Sequence, residues 1–131
     1  MVSVLGLSYE PHTDDMRAAP SLGLVAELVQ LVGDVRVWDP LLPPAVIETL
    51  FPSTTRCKTI EQAVDGSGVV IVLTEFPEVR DADWKAIADR VVHPALVIDG
   101  KNCLDVSRVT GAGLGYRGMG RPPGSESLAS P

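Results

Sequence analysis

The stretch that decides the fold is VSVLGLSYEPHTDDMRAAP, residues 2–20 of a chain of 131 residues. Its first four residues, Val2–Leu5, form a continuous apolar run, which is typical of a strand buried on both faces of a parallel sheet. An apolar helical pattern begins near Ser21, directly after Pro20, a residue that suits the first turn of a helix. The connection between this apolar run and the helical pattern is longer than an ordinary strand-to-helix loop, which has about two to six residues. Because it also contains an aromatic residue, carboxylates and an arginine, we predict a ligand-holding loop.

The remainder of the chain alternates strand-like and helix-like segments. Strands are predicted at 35–38, 56–58, 69–73, 95–98 and 116–119. Helices are predicted from Ser21 to Gly33, over 45–50 and 59–64, from a cap at Asp81 or Asp83 to about Arg90, and after Asp105. This alternation predicts an α/β fold: a doubly wound, mostly parallel sheet with helices on both faces, Rossmann-like and forming a single domain. We assign residues 1–120 to this domain. Residues 121–131 are rich in Pro, Gly and Ser and are predicted to be a disordered tail.

Composition excludes several classes of partner. The chain has 11 basic and 17 acidic residues and a formal net charge of −6, without a basic stripe. Nucleic-acid binding and attraction to anionic membranes are therefore disfavoured. The apolar runs are too short to span a bilayer, and no basic leader followed by an apolar stretch opens the chain. From these features we predict a cytoplasmic protein.

The cysteines and His12 have no metal-binding pattern. Cys57 and Cys103 match neither a disulfide framework nor a ligand spacing, so we interpret them as small apolar side chains in or near the core. His12 has no second histidine or cysteine at ligand spacing. The adjacent pair Asp14 and Asp15 is compatible with paired catalytic carboxylates or magnesium ligands, but adjacent side chains usually point apart, which favours helix capping or solvation.

A dinucleotide-binding turn is missing. Such a G-x-G-x-x-G turn follows a strand and opens a helix, so that backbone amides meet a pyrophosphate. Only Gly6 follows the first strand, and the glycines of 111–115 precede a strand instead. Asp39 occupies the place of a ribose-binding acid, but without the turn we interpret it as a residue that ends a strand. The chain is therefore predicted to lack a standard NAD site of its own.

Three features follow predicted parallel strands and should meet at the carboxyl edge of the sheet, where ligands bind in such folds. They are the long loop after the first strand, the pair Thr74-Glu75, and the turn of residues 99–102. Lys101 lies in that turn and is either a solvated lysine or part of the site. Their convergence predicts a ligand site at this edge.

Five dispersed motifs resemble the C-terminal, UDP-binding domain of the UDP-glucose/GDP-mannose dehydrogenase family. They occur in the right order and spacing at 6–20, 35–40, 72–78, 98–102 and 115–121. The resemblance implies an enzyme that uses NAD to oxidise the C6 hydroxyl of a UDP-sugar, or of GDP-mannose, to a carboxylate. It also implies a partner, namely the N-terminal dehydrogenase domain or subunit, and a chain that is either excised from a longer protein or encoded separately.

The resemblance further implies the roles of individual residues. The positions that match substrate-binding residues of the family are Tyr9, Glu10, Thr13, Asp14, Asp15 and Lys101. Arg17 matches an arginine that reaches the NAD bound mainly by the other domain. Three positions depart from the family pattern: Glu10 stands where lysine is usual, Lys101 where arginine is usual, and Ala19 where serine is usual. We therefore expect any nucleotide binding to be weak.

The family's nucleophilic cysteine segment and its N-terminal Rossmann turn do not occur in this chain, so no catalytic residue is assigned. The isolated chain is predicted to be catalytically silent. Two alternatives stay open. In the first, the chain is a stand-alone, non-catalytic nucleotide-binding or regulatory module. In the second, it is a phospho-receiver domain of flavodoxin-like form; the features that favour this alternative are the acids after the first strand, Thr74 and Lys101.

Overall fold

A computed structural model describes residues 1–8 and 19–119 of the protein. Its strands are β1 (Val2–Leu5), β2 (Val35–Trp38), β3 (Thr55–Arg56), β4 (Val69–Val72), β5 (Leu96–Asp99) and β6 (Gly115–Gly118). They form one sheet in the order β3-β2-β1-β4-β5-β6, and every neighbouring pair is parallel. This is the order of a Rossmann sheet. The predicted fold class is confirmed, and the flavodoxin-like receiver alternative is wrong, because that fold has the order 2-1-3-4-5.

Five of the six described helices fall where the sequence predicts them, with small differences at their ends, and the short helix over Pro77–Arg80 is not predicted. They are α1 (Ser21–Val32), α2 (Pro44–Leu50), α3 (Ile60–Val64), α4 (Pro77–Arg80), α5 (Trp84–Arg90) and α6 (Val106–Gly111). Of the two caps predicted for the helix that ends at Arg90, Asp83 is the one observed, since its carboxylate accepts the amide of Ala86 at 3.1 Å and caps α5. None of the described helices is long and apolar enough to cross a membrane. The predicted tail lies outside the described residues.

Two apolar cores lie on the two faces of the sheet. The larger core contains Val70, Val72 and Val97 of the strands with side chains from α3, α5 and α6. The smaller core contains Val4, Val35 and Val37 with side chains from α1 and α2. Successive strand residues point to opposite faces, so the almost uninterrupted apolar runs of β1 and β4 serve both cores. The carboxyl edge of the sheet is thereby held between two packed layers.

Candidate functional site

The end of β1 is pressed against the end of β4. Gly6 has φ of +93°, and its amide donates to the carbonyl of Trp38 at 2.8 Å. A Cβ on Gly6 would lie 2.5 Å from Cβ of Thr74, so only glycine fits there. The buried hydroxyl of Thr74 donates to the carbonyl of Ser8 at 2.6 Å. The loop that follows β1 therefore leaves the sheet in a defined direction.

Asp39, at the end of β2, clamps two segments of the edge together. Its Oδ2 accepts the amides of Leu7 at 2.8 Å and Ser8 at 3.0 Å, and also the Ser8 hydroxyl at 3.0 Å. Its Oδ1 accepts the amides of Leu41 at 2.8 Å and Leu42 at 3.0 Å. The side chain is buried, and both of its oxygens are fully engaged. The prediction that Asp39 ends a strand is correct, but the residue also holds the start of the long loop.

This clamp decides whether NAD fits at the end of β1. In a dinucleotide-binding domain the amides after the first strand meet the pyrophosphate. Here the amides of Leu7 and Ser8 already bind the Asp39 carboxylate, and a second anion beside it would be repelled. The residues present therefore do not fit a dinucleotide in that position, in agreement with the missing glycine turn.

Asp99, at the end of β5, holds the turn that carries Lys101. Its carboxylate is fully buried, and Oδ2 accepts the amide of Leu104 at 2.9 Å and the hydroxyl of Tyr116 at 2.8 Å. Oδ1 accepts the amide of Lys101 at 3.2 Å. The amide of Gly100 donates to the carbonyl of Val72 at 2.8 Å, which ties the turn to β4 as well. The backbone of Lys101 is thus fixed from two sides.

Asn102 is a further anchor that sequence reasoning did not identify. Asn102 adopts φ of +52°, and its side-chain nitrogen Nδ2 donates to the carbonyl of Met119 at 2.8 Å. Its Oδ1 accepts the amide of Met119 at 2.9 Å. The only sequence signal is that asparagine tolerates this left-handed conformation better than most residues. The pair joins the end of β6 to the turn after β5.

A cavity of about 480 Å³ opens at this edge, between the clamped segments. Polar groups lie at the rim of the cavity, and its floor on the sheet is apolar. The cavity is lined by Leu7, Ser8, Pro20, Ser21, Leu24, Ile71, Leu73, Ile98, Gly100, Lys101 and Met119. The long loop leaves the rim at Ser8 and returns to it at Pro20, and the Ser21 hydroxyl donates to the carbonyl of Leu7 at 2.6 Å. Both ends of the loop and Lys101 therefore surround one opening. For the described residues, the predicted convergence at the carboxyl edge is confirmed.

Most of the predicted site residues fall within the loop itself. Residues 9–18 lie outside the described part of the chain, and with them Tyr9, Glu10, His12, Thr13, Asp14, Asp15 and Arg17. Their roles stay predictions. Lys101 is exposed at the rim of the cavity, and its role in substrate binding stays a prediction.

Neither cysteine has the environment of a reactive nucleophile. Burial, together with the negative charges of Asp99 and Glu75, raises the pKa of the Cys103 thiol to about 12. Burial also raises the pKa of Cys57, partly offset by Arg36 and Arg56. An activated cysteine needs the opposite shift. Both side chains pack against the larger core, as the sequence predicts. Within residues 1–8 and 19–119, no cluster of three or more His, Cys, Asp or Glu side chains is placed to hold a metal ion.

The strand order and the clamped carboxyl edge define the class: a Rossmann-like α/β domain whose candidate ligand site lies where the strands end. The family follows from comparison with known proteins. The family model for the UDP binding domain of the UDP-glucose/GDP-mannose dehydrogenase family matches residues 3–106. The chain belongs to this family.

Individual relatives agree with this assignment. The chain is 35% identical over 120 residues to the UDP-glucose 6-dehydrogenase YwqF of Bacillus subtilis, covering 92% of this chain and 27% of that protein. It is 32% identical over 135 residues to the UDP-glucose 6-dehydrogenase of Pseudomonas aeruginosa, covering 98% and 29%. The solved UDP-D-ManNAc dehydrogenase of Pyrococcus horikoshii superposes with a TM-score of 0.74 at 30% identity, covering 92% of this chain and 25% of that one. The chain therefore spans little more than a quarter of these relatives.

Proposed function

We propose that this domain binds the nucleotide part of a UDP-sugar within an NAD-dependent UDP-sugar 6-dehydrogenase, with UDP-glucose as the first candidate substrate. The reaction converts the C6 hydroxyl of the hexose to a carboxylate. One observation carries the proposal: both ends of the long loop and Lys101 surround a single cavity at the carboxyl edge of a family UDP binding domain. Ligands of open α/β sheets bind in that position.

The residues of the rim and loop have separate roles in this proposal. Lys101 supplies a positive charge to the diphosphate, from a backbone that Asp99 holds in place. Tyr9 stacks against the base, and Thr13, Asp14 and Asp15 belong to the loop that wraps the nucleotide. Arg17 reaches toward NAD. These roles rest on the family resemblance and on the positions of the two loop ends.

Glu10 weakens this site in the proposal. A carboxylate about 5 Å from a phosphate is repelled by roughly 3 kcal/mol at an effective dielectric constant of about 20, before screening by salt. The lysine usual at this position would attract the phosphate instead. We therefore expect a low affinity for UDP, and we expect Glu10→Lys to raise it in a calorimetric titration. An unchanged affinity would mean that Glu10 points away from the phosphates.

Oxidation itself requires groups that we assign to a partner. The amides after β1 are engaged by Asp39, and Cys57 and Cys103 have raised pKa values. We propose that NAD and the reactive cysteine belong to an N-terminal dehydrogenase domain or subunit, and that the protein acts in the cytoplasm. The chain alone should then reduce no NAD in the presence of UDP-glucose, and measurable reduction would contradict this assignment.

The binding proposal is tested by calorimetric titration of the chain with UDP, UDP-glucose, GDP-mannose and NAD. We expect UDP and UDP-glucose to bind and NAD not to bind. Lys101→Ala should weaken UDP binding by about tenfold, the equivalent of one lost charge-assisted contact. Lys58→Ala, an exposed lysine after β3, is the matched control and should bind UDP like the parent chain. Equal UDP affinity of the two variants, or the absence of binding at millimolar UDP, would contradict the proposal.

A second candidate is a stand-alone, non-catalytic nucleotide-binding or regulatory module. The residues Glu10 and Lys101 favour this candidate, because each replaces a family residue that would bind a phosphate more strongly. The two candidates differ in the partner they need. Association with a dehydrogenase polypeptide and gain of NAD reduction supports the first, and nucleotide binding without any such association supports the second.

A further inference from the structure

The turn after β5 binds its own backbone amides to the protein. The amide of Gly100 donates to the carbonyl of Val72 at 2.8 Å, and the amide of Lys101 donates to Oδ1 of Asp99 at 3.2 Å. The amide of Asn102 donates to the Asp99 carbonyl at 3.5 Å. A loop can cradle an anion directly only with amides that are not engaged elsewhere. An anionic ligand at the rim therefore meets residues 100–102 through side chains, and the positive charge among them belongs to Lys101.

The side chain of Asn102 extends the pairing of β5 with β6 by one residue. The last pair in the register of these strands is Asp99 with Gly118. One residue further on, Nδ2 of Asn102 donates to the carbonyl of Met119 at 2.8 Å, and Oδ1 of Asn102 accepts the Met119 amide at 2.9 Å. A carboxamide has the donor and the acceptor of a peptide group, so it takes the place of a strand neighbour. An aspartate at this position would lack the donor.

The two hydrogen bonds of Asn102 lie at an exposed site and require an uncommon backbone conformation. Asn102 is exposed, and its φ of +52° lies in the left-handed region. Because exposed groups bind water equally well in the unfolded chain, such bonds contribute less to folding than the buried bonds of Asp99. Their main effect is on the geometry of the turn.

This geometry fixes two members of the cavity rim at once. Lys101 directly precedes Asn102, and Met119 borders the cavity with 59% of its surface exposed. The ammonium group of lysine is a point charge on a flexible four-carbon stem, and it lacks the planar fork with which arginine orients itself on a phosphate. The position of the Lys101 backbone therefore determines where its charge is available.

We propose that Asn102 is a positioning residue, whose two hydrogen bonds to Met119 direct the Lys101 ammonium group toward the diphosphate of the ligand. The inference rests on the proposed function, which gives Lys101 its role at the diphosphate. Both polar atoms of the Asn102 side chain bind Met119. Asn102 therefore acts through Lys101 and not by contact with the ligand.

A double-mutant cycle tests whether Asn102 acts through Lys101. The affinity for UDP is measured by calorimetry in the full 131-residue chain, in Asn102→Gly, in Lys101→Ala and in the double variant. Glycine accepts a φ of +52° and removes the two bonds to Met119. We expect Asn102→Gly to weaken UDP binding about fivefold when Lys101 is present, and less than about 1.5-fold when residue 101 is alanine. Equal losses in the two backgrounds, or an unchanged affinity of Asn102→Gly, would overturn the proposal.

Ser53→Gly is the matched control for this cycle. Ser53 is also an exposed residue with a left-handed φ, of +68°, and it lies just before β3, at the edge of the sheet opposite to β6. We expect its UDP affinity to stay within about 1.5-fold of the parent chain. A loss as large as that of Asn102→Gly would assign the effect to general loosening of the fold and would overturn the proposal.

Hydrogen exchange of the ligand-free chain tests the same role without UDP. Asn102→Gly should speed exchange of the amides of Lys101 and Met119 about tenfold and leave that of Val70, in the centre of the sheet, unchanged. In Ser53→Gly all three amides should exchange as in the parent chain. Unchanged exchange of Lys101 in Asn102→Gly, or a rise that includes Val70, would overturn the proposal.

The cycle is repeated with inorganic pyrophosphate to separate this inference from the proposed function. Coupling of Asn102 to Lys101 with pyrophosphate, while UDP binds no more tightly than pyrophosphate, supports the positioning role and contradicts a nucleotide site. UDP binding that responds to Lys101→Ala but not to Asn102→Gly supports the proposed function and overturns the positioning role. Absence of binding of both probes at millimolar concentration would overturn both.

Discussion

Asp39 and Asp99 both end a strand and both bury their carboxylates at the carboxyl edge, but they stabilise different kinds of structure. Asp39 joins two segments that are more than thirty residues apart, through the amides of Leu7 and Ser8 on one side and Leu41 and Leu42 on the other. Asp99 accepts from the backbone of its own turn and from two side chains, the Tyr116 hydroxyl and the Cys103 thiol. The first clamp stabilises tertiary structure, whereas the second shapes a local turn that has other supports.

The largest effect is expected from removing the first clamp. Asp39→Ala leaves the buried amides of Leu7, Ser8 and Leu42 without their partner, and unsatisfied buried donors cost about 1–3 kcal/mol each. We expect a loss of about 4 kcal/mol in the free energy of unfolding, measured by urea titration. The surface variant Asp89→Ala should lose less than about 0.5 kcal/mol. Similar losses in the two variants would show that the Asp39 clamp contributes little.

The next largest effects are expected at two glycines, Gly6 beside the Asp39 clamp and Gly100 beside the Asp99 clamp. Gly6→Ala has to adopt a left-handed φ and brings its Cβ to 2.5 Å from Thr74, so we expect a loss of about 3 kcal/mol. Gly100→Ala meets the Val72 carbonyl at 2.8 Å without a left-handed φ, and should lose about 2 kcal/mol. Gly23→Ala, in open space on α1, should gain up to about 1 kcal/mol. Thermal melting of the three variants checks this order, and a smaller loss for Gly6→Ala than for Gly100→Ala would reverse the comparison.

Tyr116→Phe removes only the hydroxyl that donates to Asp99. The Leu104 amide remains on the same oxygen, and Gly100 and Asn102 hold the turn independently. We expect a loss of about 1–2 kcal/mol in unfolding free energy, the value of one hydrogen bond to a charged group. Asp99→Ala removes all the bonds and should lose more. Equal losses in the two variants would mean that Tyr116 accounts for the whole clamp.

The smallest expected effect is on the pH dependence of the free energy of unfolding, through Cys103 beside Asp99. Because the pKa of Cys103 is raised to about 12, its thiol stays protonated in the folded chain while the unfolded chain ionises near pH 9. The stabilisation from Cys103 is therefore complete below pH 9 and is lost as the pH rises toward 12. Cys103→Ser should lack this component of the decline in urea midpoint above pH 9. At pH 8, alkylation of Cys103 should be up to about a thousandfold slower than that of an ordinary thiol, and comparably fast alkylation in the folded chain would contradict the raised pKa.

The comparison also shows what a sequence can predict in this protein. The apolar runs of β1 and β4, the helical period of α1 and the stop at Gly33 are local patterns, so the strands, helices and fold class follow from them. The meeting of Thr74 and Lys101 at one edge follows from the parallel connection of the strands. The predicted fold class and the shared edge are confirmed for the residues that the structure describes.

The clamps themselves could not be predicted. Asp39 binds residues 31 and 32 positions away, and nothing in the local sequence indicates which amides approach it. The same applies to Asn102 and Met119, and to the short helix α4, Pro77–Arg80, which precedes α5. Hydrogen-bond partners at a sheet edge depend on how far each strand extends, which is a property of the packed sheet.

One consequence of the Asp39 clamp concerns competition inside a cell. An anion that belongs to the chain is present beside its amides at an effective concentration that dissolved metabolites do not reach. A dissolved phosphate could bind the amides of Leu7 and Ser8 only by displacing the Asp39 carboxylate. The part of the fold that commonly receives a phosphate is therefore already occupied by a group of the chain itself.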